Sequence, residues 1–303
     1  MTQPKVVIIL VNWNRREDTL ECLRSLTAID YANAQCLVVD NGSEDGSVAA
    51  VRAEFPGVQV IEAGENLGFV LGNNLGLAFA RRQNADYALL LNNDTLVAPD
   101  FLTRLVQAGE ADPQVGVVGP TIYYASQPEV IWSAGGAIDW EKGQSSMLGL
   151  NELDRGLSAG AAHEVDFVTG CALAVKLAAV AAAGELDARF FAYYEETEWC
   201  VRIRRAGYRI LHVPGARIWH KISPEVRADS PSVHYYMTRN RLLFLKLARA
   251  GWQAWLNALL VDDLRTLASW SLRPKWRGKA ELRRVMWQGI GDYFTGKFGR
   301  MAA

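Results

Sequence analysis

Three polar runs each follow an apolar run in the first third of the chain: Asn12-Trp13-Asn14, Asp40-Asn41-Gly42-Ser43 and Asn92-Asn93-Asp94. Asn92 and Asp94 stand two apart, so in an extended backbone their side chains point the same way. A carboxylate beside an amide oxygen offers hard oxygen ligands for Mg2+ or Mn2+, ions that keep several waters and bridge phosphates. Asp40, followed by a Gly-Ser turn, can accept a hydrogen bond from the N3–H of a uracil or thymine ring. Each pattern has a plainer reading. Asp40 can simply cap its turn, and Asn92 to Asp94 can form an Asx turn that leads into the helix after Pro99.

The elements that must position these residues are legible in the hydrophobic pattern. KVVIILVN (5–12) is uncharged after Lys5 and reads as a strand buried on both faces of a parallel sheet. Similar runs follow at 35–40, 58–63, 86–91 and 115–119. Helix-period stretches separate them, with Leu20, Leu23 and Leu26 on one apolar face and Leu71, Leu75, Ala78 and Phe79 on another. Alternation of this kind implies right-handed crossovers and an α/β, doubly wound, mostly parallel sheet. In such sheets ligands sit beyond the carboxyl ends of the strands, where all three polar runs fall. A dinucleotide-binding oxidoreductase would need GxGxxG after the first strand. Residues 10–16 read LVNWNRR instead, and Gly68, Gly72 and Gly76 have the wrong spacing.

From 121 to 165 the pattern weakens to irregular loops or short antiparallel strands. It sharpens again to a helix over 175–184, a second helix from Glu195 to Ala206, and strands at 208–213 and 216–220. The 303 residues are half hydrophobic, enough for a full core, and the four cysteines form no CxxC pair, which argues against a zinc ribbon or disulfide scaffold. No secretion signal is read at the N-terminus, and a cytoplasmic location is expected.

The net charge of −1 conceals an asymmetry: residues 239–303 carry +9 and residues 1–238 carry −10. Five of the ten tryptophans also fall in that tail, which sets an expected boundary between a domain over 1–238 and a helical extension over 239–303. Lys246 and Arg249 interrupt the apolar run at 241–272, so a spanning helix is not expected. Together with Gln253 and Asn257 they would form a narrow polar stripe on a broad apolar helix, a face suited to a homodimer contact or an anionic membrane surface.

The blocks VNWN (11–14), VVDNGSEDGS (38–47), ENLGFVLGNNLG (65–76), LLLNNDT (89–95), VTGCALAV (168–175), GELDARFFAYYEETEWCVRIRRAGYRI (184–210) and YYMTRNRLLFLKL (235–247) occur in the order seen in the family 2 glycosyltransferases of the GT-A fold. Over about residues 5–247 the chain resembles the rhamnosyltransferase-like branch of that family, which builds bacterial surface polysaccharides.

The resemblance implies inverting, metal-dependent transfer of a sugar from a nucleoside diphosphate donor to a hydroxyl of a glycan or lipid-linked acceptor. dTDP-rhamnose is the expected donor. A UDP-sugar carrying galactofuranose or a hexose is the alternative, as is a non-catalytic nucleotide-binding scaffold. By the same resemblance Asp40 contacts the base together with Asn12 and Trp13, and Asn73 lies near the nucleotide. Asn14, Asn41, Asn66, Gly68, Asn92 and Asn93 complete the donor site. Asn92-x-Asp94 fills the slot of the family's metal-binding DxD with its first Asp replaced, leaving Asp94, with His220, to hold Mg2+ or Mn2+. The base comes from Glu195-Glu196, where relatives show Glu-Asp; Glu196 aligns with it and Glu195 is the alternative. About 100° separates successive residues around a helix, so the two carboxylates diverge. No nucleic-acid partner is expected, and a lipid-linked acceptor would place the enzyme at the inner face of the cell membrane.

Overall fold

The computed structural model describes residues 3–222 and 230–302. Strand β1 (Val6–Asn12) carries Val6 to Leu10 with no exposed surface at all, which is why that run tolerates no charge. It pairs in parallel with β2 (Ala34–Asp40) on one side and β4 (Tyr87–Leu91) on the other, and β2 pairs in parallel with β3 (Gln59–Glu62). Helices α1 (Arg16–Leu26), α2 (Ser47–Glu54) and α3 (Gly68–Arg82) make the crossovers. The register sets Asn12 opposite Asp40, so two of the polar runs leave the sheet side by side.

The alternation continues through β5 (Thr95–Val97), α4 (Phe101–Glu110) and β6 (Val115–Tyr124). Beyond it the sheet is mixed. β11 (Ala172–Lys176) lies antiparallel between β4 and β6, and with β10 (His163–Glu164) and β12 (Arg209–His220) the full order is β10-β12-β6-β11-β4-β1-β2-β3, with β5 on β12 and β7 (Gln127–Ser133) on β6. The helix expected over 175–184 is therefore shorter: Val175 and Lys176 end the strand, and α5 covers Leu177–Ala183. The stretch 121–165 is mostly short strands, among them β8 (Gly136–Asp139), β9 (Gln144–Met147) and β10 (His163–Glu164). The two strands expected at 208–213 and 216–220 are one, β12 (Arg209–His220), whose pairing with β6 slips between Val213 and Arg217, around Pro214 and Gly215.

Helix α3 reverses a further expectation. Its buried face is Gly68, Gly72, Asn73, Gly76, Leu77 and Ala80, whereas Leu71 is 39% exposed. The reason is close approach: a Cβ on Gly76 would lie 2.4 Å from Ile9 Cγ2, and one on Gly72 would lie 2.9 Å from Val11 Cγ1. Gly72 and Gly76 thus let α3 lie directly on β1.

The chain divides into two units. The first, Met1–Ala137, Met147–Leu186 and Trp199–Ile222, holds the ten-stranded sheet and its main core. The second comprises Ile138–Ser146, Asp187–Glu198 and the described part of Ser223–Ala303. It is built on α7 (Pro231–Leu247) packed against α10 (Ala280–Thr295), with Tyr235, Tyr236 and Val285 as a buried cluster. Between these lie α8 (Trp252–Leu256), a π-helical stretch (Asn257–Leu264) and α9 (Arg265–Leu272). The single amphipathic helix expected across Lys246 to Asn257 does not form. α7 stops at Leu247, and Arg249 takes a left-handed backbone (φ +52°), which breaks the polar stripe. No helix among the described residues is long and apolar enough to cross a membrane.

Candidate active site

At the carboxyl end of β1 the fully buried Asn12 side chain is the hub of a polar network in the first unit. Its Nδ2 donates to Asp40 Oδ1 at 2.8 Å and to Ser43 Oγ at 3.0 Å. Its Oδ1 accepts from Thr19 Oγ1 at 2.9 Å and from Asn93 Nδ2 at 3.0 Å. Asp40 Oδ2 accepts from the Ser43 backbone N–H at 2.8 Å, so Asp40 does cap its turn. Capping uses one lone pair of that oxygen and leaves the carboxylate further acceptor capacity. The cap also lines a cleft of about 430 Å³ with Ser43, Arg52 and Glu62 among its walls. The capping reading of Asp40 is thus observed, and its carboxylate also stands at the wall of the cleft.

Asn14 joins this group through Ser43, whose Oγ accepts the Asn14 backbone N–H at 2.9 Å, while Asn14 Oδ1 accepts from Glu44 N–H at 2.8 Å. Trp13 is 50% exposed between them. Asn41 Nδ2 donates to the Gly68 carbonyl at 2.9 Å, and Asn66 Oδ1 accepts the Gly68 N–H at 2.9 Å, which pins the start of α3. Asn73 is buried and donates to the Phe69 carbonyl one turn back, so it is tied to its own helix instead of to the Asn12 network. Asn92 is held by its backbone, with its N–H donated to the Cys171 carbonyl at 2.8 Å. Ser43 belongs to the Asp40–Ser43 run that the sequence points to, whereas nothing in the helical context of Thr19 signals a buried hydroxyl.

Asp94 and His220 come together because β12 pairs antiparallel with β5, which sets His220 opposite Thr95. His220 Nε2 lies 3.0 Å from Asp94 Oδ1, and its ring packs edge-on against Trp132. Burial pushes the Asp94 carboxyl up, but the adjacent imidazole outweighs it, and the group lies below the usual carboxylate range. His220 Nδ1 is buried without a hydrogen-bond partner, and Asp94 Oδ1 is buried with the imidazole Nε2 as its polar neighbour. The carboxylate oxygen suits Mn2+ or Mg2+ when phosphate oxygens and water supply further ligands, and the imidazole nitrogen favours the transition metal of the two. Among the described residues no cluster of three or more His, Cys, Asp or Glu side chains that could hold a metal ion is found.

The remaining candidates belong to the second unit. Glu195 and Glu196 open α6 (Glu195–Arg205), with Glu198 also in its first turn, where carboxylates interact well with the positive end of the helix. Glu195 and Glu198 are buried; Glu196 alone of the three reaches solvent in part.

The chain matches the model of glycosyl transferase family 2 over residues 7–163 and that of glycosyl transferase family group 2 over 87–290. The N-acetylglucosaminyl-diphospho-decaprenol L-rhamnosyltransferase of Mycobacterium tuberculosis is 26% identical over 282 residues, spanning 86% of this chain and 89% of the relative. The dTDP-rhamnosyl transferase RfbF of Shigella flexneri is 20% identical over 255 residues, 80% of each chain. Among solved structures, a mannosyltransferase of Pyrobaculum calidifontis in complex with GDP-Man and Mn2+ superposes with a TM-score of 0.60 at 17% identity, covering 98% of this chain and 89% of that one. GalNAc-T7 with UDP, GalNAc and Mn2+ gives 0.64 at 14% identity, covering 95% and 55%. These two likenesses show a shared GT-A fold.

Proposed function

Because the chain belongs to glycosyl transferase family 2 and is a glycosyltransferase, we propose that it moves rhamnose from dTDP-rhamnose, with inversion, to a hydroxyl of a lipid-linked glycan in bacterial surface polysaccharide synthesis. The observation that carries this reading is the similarity to two rhamnosyltransferases over at least 80% of the chain, one of them named for a decaprenol-linked acceptor.

The geometry supports a role for each group. Asp40, oriented by Asn12 and Ser43 at the cleft wall, receives the N3–H of the base. Asn93 and Thr19 fix the Asn12 amide so that its Nδ2 faces Asp40. Asp94 and His220 would hold Mg2+ or Mn2+, and such an ion neutralises the charge that grows on the leaving nucleoside diphosphate. Glu196, the more accessible of the neighbouring carboxylates, takes the acceptor proton as the acceptor oxygen attacks, with Glu195 as the alternative. A single displacement inverts the anomeric centre, and none of these roles needs a second, nucleophilic carboxylate. Asp40 favours a second donor class equally, because uracil presents the same N3–H as thymine; a UDP-sugar carrying galactofuranose or a hexose is that reading.

Within the second unit Trp252, Leu256, Leu260 and Leu264 recur every fourth residue, all exposed, with Trp252 at 68%. Lys246, Arg249, Arg265 and Arg273 are exposed in the same stretch. Basic groups draw anionic headgroups and tryptophan favours the interface, so this surface fits a membrane carrying the lipid-linked acceptor. It supports a peripheral enzyme at the inner face of the cell membrane.

Thermal shift of the full chain against nucleotide sugars tests the donor assignment. The largest rise is expected with dTDP-rhamnose plus Mn2+. A larger rise with a UDP-sugar moves the assignment to the second donor class.

A further inference from the structure

The block Tyr235 to Leu247 supplies none of the residues assigned above to the donor site, yet it contains two densely hydrogen-bonded side chains. Arg239 and Asn240, adjacent on α7, are both fully buried. Asn240 Nδ2 lies within hydrogen-bond reach of three carbonyls in sequence, Phe190 at 2.9 Å, Ala192 at 2.7 Å and Tyr193 at 2.9 Å. Its two amide hydrogens are shared among three acceptors, so the whole turn closes on one nitrogen. Arg239 Nε donates to Asn240 Oδ1 at 2.9 Å and thereby fixes which way the amide points. The rest of its guanidinium reaches the carbonyls of Arg189, Phe190 and Gly299 and stacks near the rings of Tyr235 and Tyr236.

The turn so held is strained. Phe191, Tyr193 and Tyr194 all take left-handed backbones, with φ of +67°, +68° and +69°, which side chains with a Cβ adopt at a cost in free energy. Such conformations persist only where the surroundings over-determine them. Here the surroundings are one face of α7: Phe191 stacks on Tyr236 at 5.4 Å, the backbone binds Asn240, and Tyr194 packs on Phe244 at 5.5 Å. Tyr236, Asn240 and Phe244 are spaced i, i+4, i+8, so a single helical stripe grips the turn along its length. The residue after the turn is Glu195, and then Glu196.

We infer that Asn240, oriented by Arg239, is a positioning residue of the transfer reaction: it holds the strained 190–194 turn and so sets where the Glu196 carboxylate stands. The inference rests on the reading of Glu196 as the base. The strained residues lie directly before the Glu195-Glu196 pair, and none of the residues assigned above to the donor site takes part in the clamp.

The test uses the full chain and four variants: Asn240→Ala, Asn240→Asp, Glu196→Gln and the double variant Asn240→Ala with Glu196→Gln. Asn240→Ala is expected to lower kcat about 10- to 100-fold while the donor KM stays within about 2-fold, because orientation is lost and donor binding is not. Asn240→Asp keeps the shape but sets an acceptor against three carbonyls, and is expected to do at least as much harm. Since Asn240 acts through Glu196, the double variant should be no slower than Glu196→Gln alone. Hydrogen exchange should quicken over residues 187–196 in Asn240→Ala and stay unchanged in the donor site. A folded Asn240→Ala with kcat within about 2-fold of the parent, or losses that multiply in the double variant, would overturn the inference. Should Asn240→Ala not fold, Asn240→Ser takes its place under the same criteria. If Glu196→Gln proves fully active, the base assignment fails by itself, and hydrogen exchange still decides whether Asn240 holds the turn.

Discussion

His220 Nε2 stands 3.0 Å from Asp94 Oδ1, although 126 positions separate them in the chain, because β12 runs antiparallel to β5 and ends beside it. If this pair holds the metal, Mn2+ should strengthen dTDP binding to the parent chain, as read by calorimetry with and without EDTA. Asp94→Ala should abolish that increment, and His220→Ala should weaken it by about 10- to 100-fold, leaving metal-free nucleotide binding in place. An unchanged Mn2+ increment in Asp94→Ala sinks the metal assignment.

Glu196→Gln is expected to keep donor affinity and to lower turnover by roughly 10² to 10⁴. Glu195→Gln should cost far less. If Glu195→Gln is the inactive variant and Glu196→Gln is near normal, the base is the neighbouring residue.

A buried histidine sets an acid limit on stability. Thr121 Oγ1 donates to the Pro214 carbonyl at 3.1 Å and so accepts from His212 Nε2 at 2.9 Å, which leaves His212 Nδ1 unprotonated, buried and without a partner. Burial, with the nearby His163 ring, lowers the His212 titration from 6.5 to about 3. The folded-state value is depressed, so the unfolded chain binds the proton first. The contribution is fully present above pH 6.5 and is lost as pH falls toward 3, at a slope of about 1.4 kcal/mol per pH unit. Urea unfolding between pH 7 and 4 should show this slope, and His212→Gln, which cannot titrate, should flatten it.

The parallel half of the fold was written plainly in the sequence, since strands buried on both faces must be uncharged and β1, β2 and β4 have no other pattern open to them. The face of α3 was misread because leucines at helical spacing normally mark the core. Here the core contact is glycine against Ile9 and Val11, and a missing side chain leaves no hydrophobic signal. The antiparallel β11 was hidden for a related reason: Ala172 to Lys176 runs straight into an alanine-rich helix, and nothing local marks the change of period. Asp40, Asn12 and Asn93 stood at strand ends, where topology alone directs attention. The clamp of Asn240 on the 190–194 turn was invisible, because it depends on three backbone carbonyls and no sequence pattern reports where carbonyls point.

The exposed apolar stripe from Trp252 to Leu264 predicts co-sedimentation of the full chain with anionic liposomes, reduced by salt and absent with neutral lipid. Trp252→Glu with Leu260→Glu should abolish it without loss of folding. A chain that ignores anionic liposomes at low salt but runs as a dimer, split by the same two substitutions, would assign the stripe to a subunit contact.

The measurement that bears most directly on the central claim is product formation by the purified chain from dTDP-rhamnose and a polyprenyl-diphosphate-linked N-acetylglucosamine acceptor, with the anomeric configuration of the product read by NMR. The account predicts rhamnosylated lipid of inverted configuration, formed with Mn2+ or Mg2+ and lost in EDTA, in Asp94→Ala and in Glu196→Gln. Retention of configuration, or undiminished transfer in chelator by the Asp94→Ala variant, would contradict it.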